Sequence, residues 1–154
     1  MSAETFPAPR ELVLSWADTQ ALTVLEQARA CVLAGIRPAN ADRLMRAYAS
    51  GEAEPEELLE GALLFYAVAL QLELRRDPGA TWEDAQRWRV TIDAGEPDPM
   101  IAAEARARVE TSIATGVPLE RAGDLTMAEV QAYNDVHADA EKARRRRAPR
   151  GRRP

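Results

Sequence analysis

The residue types that could do chemistry are few in this chain and badly placed to cooperate. Its one histidine, His137, sits between Asp135 and Asp139 on a polar stretch, and its one cysteine, Cys31, is far away in sequence. That leaves carboxylates alone to hold a metal. The cluster Asp93, Glu96 and Asp98 has neither the ligand spacing nor the glycine position of a calcium loop, so no metal and no cofactor are expected. The acid pairs Glu56 with Glu57 and Glu83 with Asp84 stand at helix starts, where negative charge complements the helix dipole. No glycine-rich phosphate loop or nucleophile elbow occurs, and the glycines read as isolated helix stops. His137 therefore reads as a solvated surface residue and Cys31 as a small packing residue. The chain is not expected to be an enzyme.

The remaining candidate chemistry is electrostatic. Arg144, Arg145, Arg146, Arg147, Arg150, Arg152 and Arg153 place seven positive charges in the last eleven residues, whereas thirteen basic residues face 25 acids before them. A body that acidic repels nucleic acid, while the basic tail is drawn to polyanions or to an acidic protein face. Without interleaved aromatics the tail offers sequence-blind, salt-sensitive phosphate binding and no stacking platform. Almost all basic charge is Arg, Lys142 being the one lysine, and with the abundant alanine this fits a GC-rich coding sequence as well as any selected chemistry.

The elements that would carry these residues are helical. After Pro7 and Pro9, the apolar patch Leu12, Val13, Leu14 and Trp16 reads as a strand or a helix end. A first helix is expected from Asp18 or Thr19 to Gly35, with Leu22, Leu25, Val32 and Leu33 on one stripe and Gly35 as its left-handed cap. Asn40 is placed to cap a second, bearing Leu44, Met45 and Tyr48 and closed by Gly51. Pro55 opens a long third helix to about Arg76. Its stripe of Leu58, Leu59, Ala62, Leu63, Tyr66, Ala69, Leu70 and Leu74 is widened by Phe65, Val68 and Leu72. Such a helix is either the centre of the core or one that buries a second face against a partner.

Asp77-Pro78-Gly79 must stop that helix, and Thr81 with Asp84 forms a capping-box-like start for the next, which carries Trp82 and Trp88. Residues 89–92 have strand-like types, leaving helix or extended backbone open. Asp98 and Pro99 begin a fifth helix to about Thr115, and Thr126 with Glu129 makes a capping box for a sixth.

The expected fold class is therefore all-α. About four helices form a core domain over 1–95, a two-helix appendage covers 98–143, and a disordered Arg-rich tail covers 144–154, with minor strand content near 12–16 and 89–92. The length suits such an organisation, and eight aromatics among many alanines favour helix-on-helix packing over a β-sandwich. Lone Cys31 excludes an internal disulfide. No apolar run approaches the roughly 20 residues of a membrane span. The opening MSAETFPAPRE has no basic region followed by an apolar one, so residence in the cytoplasm is expected.

The segment LLFYAVALQLELRRDPGATWEDAQRW resembles the helical core of tail assembly chaperones of long-tailed, siphovirus-like bacteriophages of GC-rich hosts. The matching positions are Arg75, Arg76, Asp77, Pro78, Thr81, Trp82, Glu83 and Asp84, about a quarter of the chain being covered directly. The resemblance implies a non-enzymatic chaperone in the bacterial host cytoplasm that holds the phage tape measure protein soluble and recruits tail tube protein. The strongly basic ending departs from the pattern. On this reading Leu59, Leu63, Tyr66, Leu70, Trp82 and Trp88 are the candidate partner-binding residues, and a homo-oligomer is a further partner left open. The alternative is a small nucleic-acid-associated phage or bacterial protein acting through its seven tail arginines.

Overall fold

Short polar side chains fix where several helices begin. In the computed structural model, which describes residues 9–93, 96–119 and 121–147, the Ser15 hydroxyl accepts the Asp18 N–H at 3.2 Å while the Asp18 carboxylate accepts the Ser15 N–H at 2.8 Å. The same reciprocal pair recurs at Thr23 with Glu26, Thr81 with Asp84 and Thr126 with Glu129. Each satisfies amide groups that the first helical turn leaves without partners. Three helices end on glycines in the left-handed conformation, Gly35, Gly51 and Gly116.

The resulting order is β1 (Glu11–Ser15), α1 (Trp16–Gln20), α2 (Val24–Ala34), α3 (Pro38–Ser50), α4 (Pro55–Leu74), α5 (Trp82–Ala85), β2 (Arg89–Asp93), α6 (Pro99–Thr115), a 3-10 turn (Ala122–Asp124) and α7 (Met127–Arg147). The chain is thus mostly helical with one small sheet. Both segments that could have been extended are strands. β1 and β2 pair in parallel, with Glu11 opposite Arg89 and Ser15 opposite Asp93, while Trp16 is already the first residue of α1. A parallel pair needs a long crossover, and here α1 through α5 provide it.

Several expectations are corrected. Five helices rather than four precede residue 94 among the described residues. The expected first helix is two, because Thr23 and Glu26 build a new start within it. That restart also changes which side chains face inward: Leu22 is buried, but Leu25, Val32 and Leu33 are exposed, and Gln27, Ala30 and Cys31 take the buried positions of α2. Asn40 does not cap α3. The helix begins at Pro38, whose fixed backbone suits the first turn, and Asn40 lies inside it. Finally, Arg144, Arg145, Arg146 and Arg147 are helical rather than the start of a disordered tail. Arg is a good helix former, Arg145 pairs with Glu141 one turn earlier, and positive charge at a helix C-terminus complements the dipole. The rest of the expected tail, with Arg150, Arg152 and Arg153, lies outside the described residues.

α4 is the central element, packed by α2, α3, α5 and β2. Leu64, Phe65, Ala67, Val68, Ala69 and Leu70 are all buried in one cluster with Leu14, Leu44, Met45 and Trp88. The strand pair is tied to it by Arg10, whose Nη2 lies 2.7 Å from Oε1 of the buried Glu73 and whose guanidinium stands 5.7 Å from the Trp88 ring centre. α6 and α7 form a second, smaller core around Ala105, Val109, Ala128 and Ala132. The buried Glu129 links these two helices: Arg108 Nη1 lies 2.7 Å from its Oε1, an ionic approach without hydrogen-bond alignment.

Close contact of α3 with α4 depends on Gly61. A methyl group there would stand 2.8 Å from Tyr48 Cδ2 and 2.9 Å from its Cβ. Because the Tyr48 Cβ is fixed to the α3 backbone, the two helices must separate to admit it. Gly61→Ala should therefore destabilise the protein by about 1–3 kcal/mol through overpacking, although helix propensity alone favours alanine by about 1 kcal/mol. Urea unfolding checks this, and a variant as stable as or more stable than the parent would contradict the packing described.

Candidate protein-binding surfaces

The apolar face expected along α4 divides in two. Leu70 and Trp88 belong to the core and are withdrawn as partner contacts, because α4 is covered by packed helices over its second half. Leu63, Tyr66 and Trp82 are half-buried, and Leu59 stands 69% exposed beside the exposed Leu58. What remains available is a short strip on the first turns of α4, with Leu58 and Leu59 followed one turn later by Ala62 and Leu63. Exposed acids Glu52, Glu54, Glu56 and Glu60 surround it. Large side chains left open at helical spacing, rather than scattered singly, are the usual mark of an interaction surface.

A second exposed set lies on the apolar stripe that the sequence gives the first helix. Val32 is 80% exposed and Leu33 is also open, both near the C-terminal end of α2. Arg75, just past α4, bonds to Glu26 in the first turn of α2, so the two helices run antiparallel and Val32 lies toward the same end of the molecule as the start of α4. The sequence signal was available: Gln27, Ala30 and Cys31 share a face at helical spacing, and Val32 lies off it.

The turn that carries the family resemblance is held by its own polar residues. Arg75 forks onto Glu26, Nε to Oε1 at 2.7 Å and Nη2 to Oε2 at 2.5 Å, and donates to the Ala21 carbonyl at 2.9 Å. Asp77 Oδ1 accepts the Gly79 N–H at 3.0 Å, closing the turn, and Glu83 pairs with Arg87 at 2.5 Å. Partial burial works to raise the Glu26 carboxyl, but the hydrogen bond from Arg75, the Thr23 N–H and the Arg75 charge outweigh it and hold it below the usual carboxylate range. Bonds from the Thr81 hydroxyl and N–H likewise lower Asp84. Cys31 is buried, and that burial pushes its thiol up. His137 is exposed and stacks on Tyr133 with ring centres 6.4 Å apart. Among the described residues no group of three or more His, Cys, Asp or Glu is placed to hold a metal ion.

The helical arginines Arg144 to Arg147 are exposed at the far end of α7. Between the two cores lies a cleft of about 560 Å³, walled by α1, α2 and α3 on one side and α6 and α7 on the other. No helix is long and apolar enough to cross a membrane among the described residues. Set against family models, curated proteins and solved structures, the chain matches none.

The Glu26–Arg75 fork gives a pH dependence of defined sign. A carboxyl whose folded pKa is depressed stabilises the native state above its unfolded value, near about 4.3, and that stabilisation is lost as pH falls through the lower, folded value. Thermal unfolding should show the parent losing stability below about pH 4.5 more steeply than Glu26→Gln, the two curves converging in acid. Parallel curves would show that the fork contributes nothing to acid sensitivity.

Proposed function

We propose that this chain is a non-enzymatic phage tail assembly chaperone that binds the tape measure protein and assists assembly of the tail tube. The observation that carries the reading is the exposed pair Leu58 and Leu59, with the half-buried Leu63 one turn on, at the start of a helix whose second half packs in the core. A tape measure protein is long and helical, and its apolar seams are uncovered before assembly. A preformed apolar helix face is suited to cover such a seam in helix-in-groove fashion. The resemblance of residues 75–84 adds to this, since those residues shape the turn after the same helix. Tail tube protein is the second expected partner, and self-association of the chain through the same strip is a third.

The exposed Arg144 to Arg147 support one alternative, binding of a polyanion such as nucleic acid in the host cytoplasm. The two readings place the contact at opposite ends of the molecule's chemistry, one apolar and one cationic.

Co-expression with the tape measure protein separates them. The parent chain and a truncation after Ala143 should each keep the client soluble and co-elute with it on size exclusion. Leu59→Glu should cut the soluble client several-fold while leaving the melting temperature unchanged, because Leu59 is already in water. Failure of the parent chain to solubilise the client would sink the chaperone reading. Duplex-DNA binding that weakens steeply with salt and disappears on truncation would establish the alternative.

A further inference from the structure

We infer that the outer edge of β2 is a self-association surface, on which a second copy of this chain lays its own β2 antiparallel about Thr91 and continues the sheet across a two-fold axis. The described sheet has two strands, β1 and β2, and they run parallel. Each is therefore an edge strand, and an edge presents N–H and C=O groups that template pairing with another chain. In β2 those groups can be assigned. The Arg89 N–H goes to the Arg10 carbonyl at 2.8 Å, so Arg89 turns its main chain toward the β1 side. Main-chain groups alternate in direction along a strand. Arg89, Thr91 and Asp93 thus serve the ladder with β1, and Val90 and Ile92 direct N–H and C=O to the opposite edge. No main-chain bond from another described element meets Val90 or Ile92 at that edge. Their side chains pack half-buried on the core, so α4 meets β2 through its face.

The residues of β2 match a copy of themselves. Laid antiparallel about Thr91, the strand sets Arg89 opposite Asp93, Val90 opposite Ile92 and Thr91 opposite Thr91. Opposite charges, paired β-branched apolar side chains and paired threonines are each favourable across strands. The hydrogen-bond phase agrees with the side chains. In an antiparallel ladder, pairs that exchange both main-chain bonds alternate with pairs that exchange none. Val90 with Ile92 is the exchanging pair in this register, and theirs are the groups that point outward. A slip of one residue would turn the exposed Arg89, Thr91 and Asp93 against the apolar face of the copy. A slip of two would set Arg89 or Asp93 opposite Thr91, so this is the register in which the strand's own charges meet.

Arg89 is free to take part without uncovering anything. Its side chain is 67% exposed and its approach to Glu11 at 3.2 Å is a surface one. The outer edge of β1 is not matched in this way. Turned on itself about Val13, it would set Glu11 opposite Ser15, and the Ser15 N–H is already given to Asp18 at 2.8 Å. Pairing through one short strand makes a small contact, which supports a weak dimer formed as concentration rises. Self-association by this edge is separate from self-association through Leu58 and Leu59, and it does not rest on the chaperone reading.

Sedimentation of the full chain is the test. The parent should pass from monomer to dimer in the high-micromolar range. Arg89→Asp and Asp93→Arg each set like charges opposite one another, and each alone should raise the dissociation constant about tenfold or more. Mixed together, the two variants restore opposite charges at every such pair and should form a heterodimer as readily as the parent dimerises. Amide exchange at Val90 and Ile92 should be slow in the parent dimer and fast in either variant alone, while the Thr91 amide, which faces β1, should not change. A parent that stays monomeric over that range overturns the inference. So does a mixture that fails to re-form the dimer, or slow Val90 and Ile92 exchange in the monomer, which would show the edge already covered. A dimer kept by both charge variants but lost on Leu59→Glu would overturn it in favour of the α4 strip.

Discussion

Burial of α4 on several sides is the constraint on which the rest of the structure depends. A helix covered by α2, α3, α5 and β2 must be apolar around much of its circumference, and from Leu64 to Leu70 every residue but the half-buried Tyr66 is buried. Such a helix does not exist alone in water, so its neighbours must be assembled around it. Small residues let them approach: Gly61 lies under Tyr48, and Ala30 and Cys31 are the buried residues of α2 along with Gln27. The polar side chains at its far end are then forced into pairs. Glu73 is buried and bonded to Arg10, which brings in β1, and Arg75 forks onto Glu26, which fixes α2. The first turns of α4 escape this enclosure, and that is why Leu58 and Leu59 are the residues left facing water.

The arm obeys a different logic. Its own core is four small or medium side chains with a partly buried surround, and it is joined to the body by backbone bonds beside Thr23 and Thr126, by the Gln20 side-chain amide on the Asp98 backbone, and by Met127 packing on the main core. Glu129 concentrates the polar demand of this region, capping α7 through the Thr126 N–H while its other oxygen meets Arg108. A buried carboxylate held this way contributes little net stability but is costly to orphan, so it favours one arrangement of α6 against α7 over others. Beside these junctions the cleft of about 560 Å³ remains open.

Local signals were legible in the sequence and distant ones were not. Thr81 with Asp84, Thr126 with Glu129, Asp98 before Pro99 and the stops at Gly35, Gly51 and Gly116 all depend on neighbours within five residues, and each stands where the sequence puts it. Thr23 and Glu26 carry the same signal. It was overridden by an apolar stripe read straight through it, and the phase of α2 was lost with it. The pairing of β1 with β2 spans 78 positions and follows from packing on α4, so residue type alone left the strands open. Of the candidate partner contacts, Leu59 is exposed while Leu70 and Trp88 are buried, a division the sequence did not reveal because hydrophobicity does not say which side of a fully apolar helix is covered.

A rigid helical body that offers apolar surface at one end of α4, and charge elsewhere, is the molecule's central feature. Amide hydrogen exchange of the chain, free and mixed with the tape measure protein proposed as its client, tests that feature most directly. The account predicts new protection over the first turns of α4, near residues 56–63, with the second half of α4 already slow in the free protein and unchanged on binding. Protection confined to the arginines beyond residue 143, with none on α4, would contradict it.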